Sequence, residues 1–260
     1  MSSPAFVAEV RLDAGVRAVD FISDIHLTES MPATAAAWER ALSSTTAGAL
    51  FMLGDIFEVW VGDDARTRAF EARCVDVIAA TARRIPVFMQ HGNRDFLLGA
   101  EFAAATGVRL IADPAAVTAF GRTIAVTHGD ELCVDDVPYQ LFRQQVRDPA
   151  YQAQFLAQPL EARLAIAAKM RAASRARHDE PVTYADVDPA LAKTWLERLG
   201  SDTMIHGHTH RPGTQQMDGW TRHVLTDWDL DSPVAEHHRA QVLRWTADGF
   251  RRLSLDEATQ

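Results

Sequence analysis

Three histidines fall within five positions in Ile205-His206-Gly207-His208-Thr209-His210-Arg211-Pro212. Imidazole is the commonest metal ligand, and a His-x-His pair in a glycine-containing loop can turn two rings onto one centre. The preceding run Thr203-Met204-Ile205 is apolar and Pro212 closes the stretch, so it reads as a buried strand emptying into a tight loop. A pair of histidines does not complete a metal site. Further donors must come from elsewhere in the chain.

They recur at the ends of other apolar runs. Val16 to Ile22 ends in Ser23-Asp24-Ile25-His26, and Ala49 to Leu53 ends in Gly54-Asp55. Ile85 to Gln90 ends in His91-Gly92-Asn93-Arg94-Asp95, and Arg122 to Thr127 ends in His128-Gly129-Asp130. Open α/β sheets bind ligands beyond the carboxyl ends of their strands. One polar ending means little, but five imply a sheet edge built as a ligand cup. The pooled donors are Asp24, His26, Asp55, Asn93, His128, His208 and His210. They include no thiolate, which suits Mn²⁺, Fe or Zn²⁺ in a reactive centre over a structural zinc cage. Seven ligands exceed the need of one ion. With a bridging carboxylate they make two sites about 3.5–4 Å apart, the geometry of phosphoester hydrolysis.

The elements that must position these donors alternate. Helical patterns cover Pro32 to Ser43, Ala65 to Arg84, residues 96–106 and Asp188 to Leu199. Val108 to Ile111 reads as a strand, and Ala115 to Phe120 pairs with Arg122 to Thr127 around Gly121. The chain closes with a run from Arg222 to Asp227, then Gln241 to Trp245 and Phe250 to Leu255 as a hairpin around Ala247-Asp248-Gly249. Residues 1–15 read as a mixed extension, and neither they nor 228–240 carry a readable role. The segment 139–178 stands apart. It is helix-forming, split by Pro149 and Pro159, and holds seven basic residues against two acidic ones. With its apolar Phe142, Phe155, Leu156, Leu160, Leu164, Ile166 and Met170 it is expected to cap the cup with cationic and greasy surface. The core is then 1–138 and 179–260.

The 260 residues are 47% hydrophobic, enough for one large core. A net charge of −9 argues against a general nucleic-acid binder, a nuclease included. Cys74 and Cys133 give no disulfide framework. No signal peptide and no run of about 18 apolar residues is visible, so a soluble, cytoplasmic chain with at most peripheral membrane contact is expected.

The blocks Asp-x-His, Gly-Asp, Gly-Asn-Arg-Asp, His-Gly-Asp and Gly-His-Thr-His, in this order from residue 24 to 210, resemble those of the calcineurin-like metallophosphoesterases. The resemblance implies an α/β fold, a four-layer αββα sandwich of two mixed sheets with the helical cap inserted. It implies that Asp24, His26 and His210 hold one ion, that Asn93, His128 and His208 hold the other, and that Asp55 bridges. Many members carry Gly-Asn-His, whose histidine protonates the leaving group. Here Arg94 stands in that place and stays charged. A phosphate leaving group hardly needs a proton, and arginine grips phosphate in bidentate fashion, so a pyrophosphate bond is the expected target.

The fuller runs 54–64, 92–99, 128–140 and 170–174 resemble the branch of that family acting on UDP-2,3-diacylglucosamine in lipid A biosynthesis. That resemblance implies two Mn²⁺ ions, water attack at the α-phosphate, and release of UMP and 2,3-diacylglucosamine 1-phosphate. It implies a peripheral place on the cytoplasmic side of the inner membrane, against anionic lipid. Asn93, Arg94, Asp136, Tyr139, Ser174 and His208 would contact substrate, although Asp136 and Ser174 equally suit helix caps. A lysine that some relatives carry after Ser174 is missing, with His178 nearby, and Lys169, Arg171, Arg175 or Arg177 would replace it. The alternatives are a dimetal phosphoesterase for soluble nucleotides or phosphoproteins, and a non-catalytic scaffold. The intact donor set argues against the scaffold.

Overall fold

A computed structural model describes residues 8–178 and 185–260, the side chains of Ala8 and 173–178 excepted. Two six-stranded mixed sheets lie face to face. The first has the order β12-β11-β2-β3-β4-β5, with β2 (Val19–Ile22), β3 (Ala49–Leu53), β4 (Val87–Gln90), β5 (Arg109–Leu110), β11 (Val242–Thr246) and β12 (Gly249–Leu253). The second has the order β1-β6-β7-β8-β10-β9, with β1 (Ala8–Arg11), β6 (Ala115–Ala119), β7 (Arg122–Thr127), β8 (Thr203–His206), β9 (Gly213–Met217) and β10 (Trp220–Val224).

Strand alternation sorts the core into layers. Along β3, Ala49, Phe51 and Leu53 face the second sheet, where they meet Val117, Ile124, Val126 and Ile205. Leu50 and Met52 face the other way, against Trp38, Leu42, Cys74, Ile78 and Phe102 of α1 (Pro32–Ser44), α2 (Ala69–Ala82) and α3 (Ala100–Thr106). On the far side of the second sheet, Ala125 and Met204 pack on Ala192, Trp195 and Leu196 of α7 (Pro189–Leu199). The order is helices, sheet, sheet, helix, the expected four layers. A short α8 (Leu255–Ala258) ends the chain.

Several details differ from expectation, β9 among them, which no signal in the sequence marks. Part of the N-terminal extension is a strand: β1 pairs in parallel with β6, Val10 opposite Val117. The helix expected from Ala65 begins at Ala69, after a 3₁₀ turn over Asp63–Thr67. The Asp63 carboxylate accepts from the amides of Gly99 and Phe102, each at 2.9 Å. It therefore caps α3, and this starts that helix at Ala100 instead of 96. The segment expected from 139 forms α4 (Val137–Val146), α5 (Pro149–Leu156) and α6 (Leu160–His178), so its helices begin slightly earlier.

One buried group makes the fold acid-sensitive. His223 on β10 bonds Thr214 Oγ1 at 2.9 Å and packs on Phe250. Burial, with Arg252 and Arg122 nearby, pushes its imidazole down to about 4. The unfolded chain binds this proton near pH 6.5 and the folded chain does not. The stability His223 contributes is therefore complete above about 6.5 and lost as pH falls towards 4, on the order of 3 kcal/mol. Urea unfolding of His223→Gln between pH 6.5 and 4 should show a correspondingly flatter decline. Parallel declines in variant and wild type would disprove the assignment.

Candidate metal centre

The donors stand at the carboxyl ends of five strands, but the cup spans both sheets. β2, β3 and β4 contribute from the first, β7 and β8 from the second. Backbone bonds lace these loops together. Asp24 N donates to Gly54 O at 3.1 Å, His26 N to Asp55 O at 3.0 Å, and Gly207 N to His128 O at 3.0 Å. The buried Asp95 carboxylate accepts from Ile56 N and Gly92 N, each at 2.8 Å. It thereby locks the Asp55 loop to the Asn93 loop. Gly92 must be glycine, because an added Cβ would overlap the Asp55 carboxylate and amide. Asp24, His26, Asp55, His208 and His210 all have φ between 51° and 64°. Non-glycine residues rarely adopt this left-handed region, and such outliers concentrate at functional sites.

All seven expected donors converge. Asp24, His26 and His210 each bring a donor atom within 4.8 Å of one another, and so do Asp24, Asp55 and His128. Asn93 Oδ1 lies 3.0 Å from His128 Nε2 and 2.9 Å from His208 Nδ1. The His26 and His210 Nε2 atoms face each other at 3.3 Å. His128 Nδ1 donates to the Leu53 carbonyl at 2.9 Å, which turns Nε2 towards the cup. His206, third of the clustered histidines, is spent elsewhere. Its Nδ1 donates to Gly207 O and its Nε2 accepts from Arg222, both at 2.8 Å.

The electrostatics suit cations. Burial pushes the Asp55 carboxyl up to about 7, against the pull of His128 and Arg94. Burial also works against the Asp24 carboxylate, but its hydrogen bond to His210 holds it well below the ordinary range. Burial and His128 push His208 down to about 3, and burial with Arg94 pushes His26 down as well. Burial opposes protonation of His128, yet Asp55 and Asp24 raise it to about 9. Protons on His128 thus balance carboxylates that a divalent cation would balance better, and binding such an ion would displace them. The residues fit a pair of divalent cations.

Arg94 completes the cup. Its amide donates to Asp55 Oδ1 at 2.8 Å, and its Nε lies 3.3 Å from Asp55 Oδ2. Its Nη1 lies 3.5 Å from Glu58 Oε2, and among the described residues its buried Nε and Nη1 make these ion pairs but no hydrogen bond, so the guanidinium can turn its donors to an anion. Beside it, α4, α5 and α6 roof a cavity of about 360 Å³ with Asn93 and Arg94 at its wall. Trp60, Phe96, Phe142, Val146, Phe155 and Met170 supply its apolar lining.

Four of the seven basic residues of these helices, Arg143, Arg147, Arg163 and Arg171, turn towards the loops beneath the cap. Arg143 pairs with Asp130 at 2.9 Å and Glu131 at 2.8 Å. Arg147 donates to Gly92 O at 2.9 Å, Arg163 grips Asp64, and Arg171 Nε donates to Glu58 at 2.9 Å. Burying a guanidinium requires a partner, and the acidic loops beneath the helices supply one. Lys169 is exposed. Arg175, Arg177, His178 and Ser174 lie on α6 with side chains outside the described residues. Tyr139 O–H donates to buried Asp130, and its ring sits 5.7 Å from that of His208. Asp136 caps α4, accepting from Tyr139 N at 3.1 Å. Sequence reasoning missed Glu58 and Asp227, carboxylates behind His26 and His210. Asp227 follows a strand end as Asp24 and Asp55 do, and that was the available signal.

No helix among the described residues is long and apolar enough to cross a membrane. A family model described as calcineurin-like phosphoesterase matches residues 18–212. The chain is 45% identical over 243 residues to a UDP-2,3-diacylglucosamine hydrolase of Xanthomonas oryzae pv. oryzae (strain PXO99A), covering 88% of this chain and 95% of the relative. It is 43% identical over 250 residues to a UDP-2,3-diacylglucosamine hydrolase of Stenotrophomonas maltophilia (strain K279a), covering 91% and 96%. Among solved structures, a cold-active protein-tyrosine phosphatase of a psychrophilic Shewanella sp. aligns with a TM-score of 0.48 at 13% identity, over 97% of this chain and 81% of that one.

Proposed function

The chain belongs to the calcineurin-like phosphoesterase family, and from that premise we propose that it hydrolyses the pyrophosphate bond of UDP-2,3-diacylglucosamine, a step of lipid A biosynthesis. Water adds to the α-phosphorus and the bond to the bridging oxygen breaks. The products are UMP and 2,3-diacylglucosamine 1-phosphate. The observation that carries this reading is one wall shared by two chemistries. Arg94 and Asn93 border both the donor cup and an apolar cavity of about 360 Å³. A substrate in which a diphosphate joins a nucleoside to a sugar bearing acyl chains uses both. The named relatives act on such a substrate and match this chain over nearly their whole length.

In this reading Asp24, His26 and His210 would hold one Mn²⁺, Asn93, His128 and His208 would hold a second, and Asp55 would serve both. When bound, the two ions supply Lewis acidity to the phosphoryl oxygens and acidify a water. The protein's own groups do the rest. Arg94 clamps the diphosphate with guanidinium donors that make no hydrogen bond among the described residues, and Asn93 and His208 orient the attacked phosphoryl group. Tyr139 and Asp136 would face the sugar phosphate; Ser174, expected to contact substrate, has its side chain outside the described residues. Arg94 donates no proton, and the departing sugar phosphate needs none. Helices α4–α6 act as a cap that keeps water from the apolar cavity.

Such a lipid places the protein against the cytoplasmic face of the inner membrane. Val137 and Leu141 on α4, 58% and 62% exposed, offer apolar contact there. Among the described side chains Lys169 carries what is left of the expected basic face, so docking should lean on apolar contact.

The test is UMP release from UDP-2,3-diacylglucosamine in mixed micelles by chelated protein, before and after Mn²⁺ is restored. Activity is expected only with the metal, and the protein should co-float with anionic vesicles. Turnover of soluble nucleotides or phosphoproteins without UMP release would leave the dimetal centre and remove the lipid.

A further inference from the structure

We infer that Asp227 is a positioning residue of the metal centre, holding the His210 imidazole from behind so that its Nε2 stays aimed at Asp24 and His26. The inference rests on the dimetal reading above. His210 is the least supported of the histidine donors, with a side chain 38% exposed and φ of 51°. His128, by contrast, is fully enclosed and its Nδ1 is fixed by the Leu53 carbonyl. The open ring of His210 needs an equivalent partner.

Asp227 is placed to be that partner. It is 4% exposed, and its Oδ2 lies 3.4 Å from His210 Nδ1. On the opposite edge of the same ring, Nε2 lies 3.4 Å from Asp24 Oδ1 and 3.3 Å from His26 Nε2. A carboxylate accepting from Nδ1–H leaves the lone pair on Nε2, orients the ring and makes it a stronger donor. The carboxylate is itself held. Arg239 Nε donates to Oδ1 at 2.9 Å and Nη2 to Oδ2 at 2.5 Å. Arg239 is anchored in turn by paired backbone bonds with Asp229, both 2.9 Å. The next residue along, Trp228, donates its amide to Asp24 O at 3.0 Å. One short segment after β10 therefore braces two donors of the same proposed ion.

The test is Mn²⁺ titration of chelated protein by equilibrium dialysis, for wild type, Asp227→Ala, Asp227→Glu and Asp227→Asn. Wild type should take two ions. Asp227→Ala should bind one of them 10- to 100-fold more weakly and the other as before. Asp227→Glu should recover most of that loss. Should the alanine variant not fold, Asp227→Asn keeps the shape and an accepting oxygen, and should weaken the same single ion about tenfold. Two ions at wild-type affinity in the folded variants would overturn the inference. Equal weakening of both ions would overturn it too, because it would mean general loosening of the loop. Wild type that failed to take two ions would overturn the dimetal reading, and the role of Asp227 with it.

Discussion

Asp55→Asn should lose UMP release by roughly a thousandfold or more, while the metal-free protein becomes more stable. The two effects have one cause. Asp55 is 2% exposed and sits among Asp24, Asp95 and His128. Burial holds its carboxyl near 7, whereas the unfolded chain releases that proton near 3.8. Between those values the folded state binds the extra proton, so the stability of the metal-free chain falls as pH rises from about 4 to 7. A neutral amide escapes this cost, on the order of 4 kcal/mol at pH 8. It still accepts from Arg94 N, which contacts Oδ1 at 2.8 Å. With divalent cations present the sign inverts, because the wild-type carboxylate then has its partner and the amide does not. Melting temperatures at pH 8 with and without Mn²⁺, beside the hydrolysis assay, would read both effects. A variant that kept a tenth of the activity, or melted lower without metal, would remove Asp55 from the bridging role.

The sequence announces this centre more plainly than it announces the scaffold around it. β2, β3, β4 and β8 are buried along their whole length, so their apolar runs stand out, and each runs into a loop that carries a donor. β1 is different. It is a four-residue edge strand carrying Glu9 and Arg11, whose ion pair faces solvent, and nothing in its composition separates it from a tail. The division of the strands between two sheets is also silent, because Val19–Ile22 and Thr203–His206 look alike until their partners are known. His206 and His208 illustrate a finer limit. They are two residues apart and chemically identical, yet one ends a strand beneath Arg222 while the other sits in a left-handed loop against Asn93. Charge was legible only in part. The sequence shows that α4 to α6 are basic, but not that Arg143, Arg163 and Arg171 pair with Asp130, Glu131, Asp64 and Glu58 in loops that the fold brings beneath them. Residues that touch the ions declare themselves by type and spacing. Those that hold them, such as Asp95 and Asp227, are ordinary carboxylates until geometry gives them a partner.

Arg94→Ala should lower kcat/KM for UDP-2,3-diacylglucosamine by roughly 100-fold and leave hydrolysis of nucleoside monophosphates, already slow, much less affected. Each charge-assisted bond contributes about 1.5–3 kcal/mol, and a fork of two to the diphosphate accounts for the larger loss. Arg94→Lys should recover only part of it, because an ammonium is a point charge and cannot match two oxygens at once. Arg94→His is the more discriminating change. An imidazole at this position can carry a proton to an alkoxide, which arginine cannot, so the ratio of monoester to diphosphate turnover should rise even as diphosphate turnover falls. Steady-state kinetics on both substrate types for the three variants decide the matter. An equal loss on diphosphate and monoester would mean that Arg94 serves the cup by its pairing with Asp55 and Glu58 and takes no part in selecting substrate. An unequal loss, with the ratio shifting towards monoesters in Arg94→His, would tie the choice of a pyrophosphate bond to a guanidinium that binds phosphate and withholds a proton.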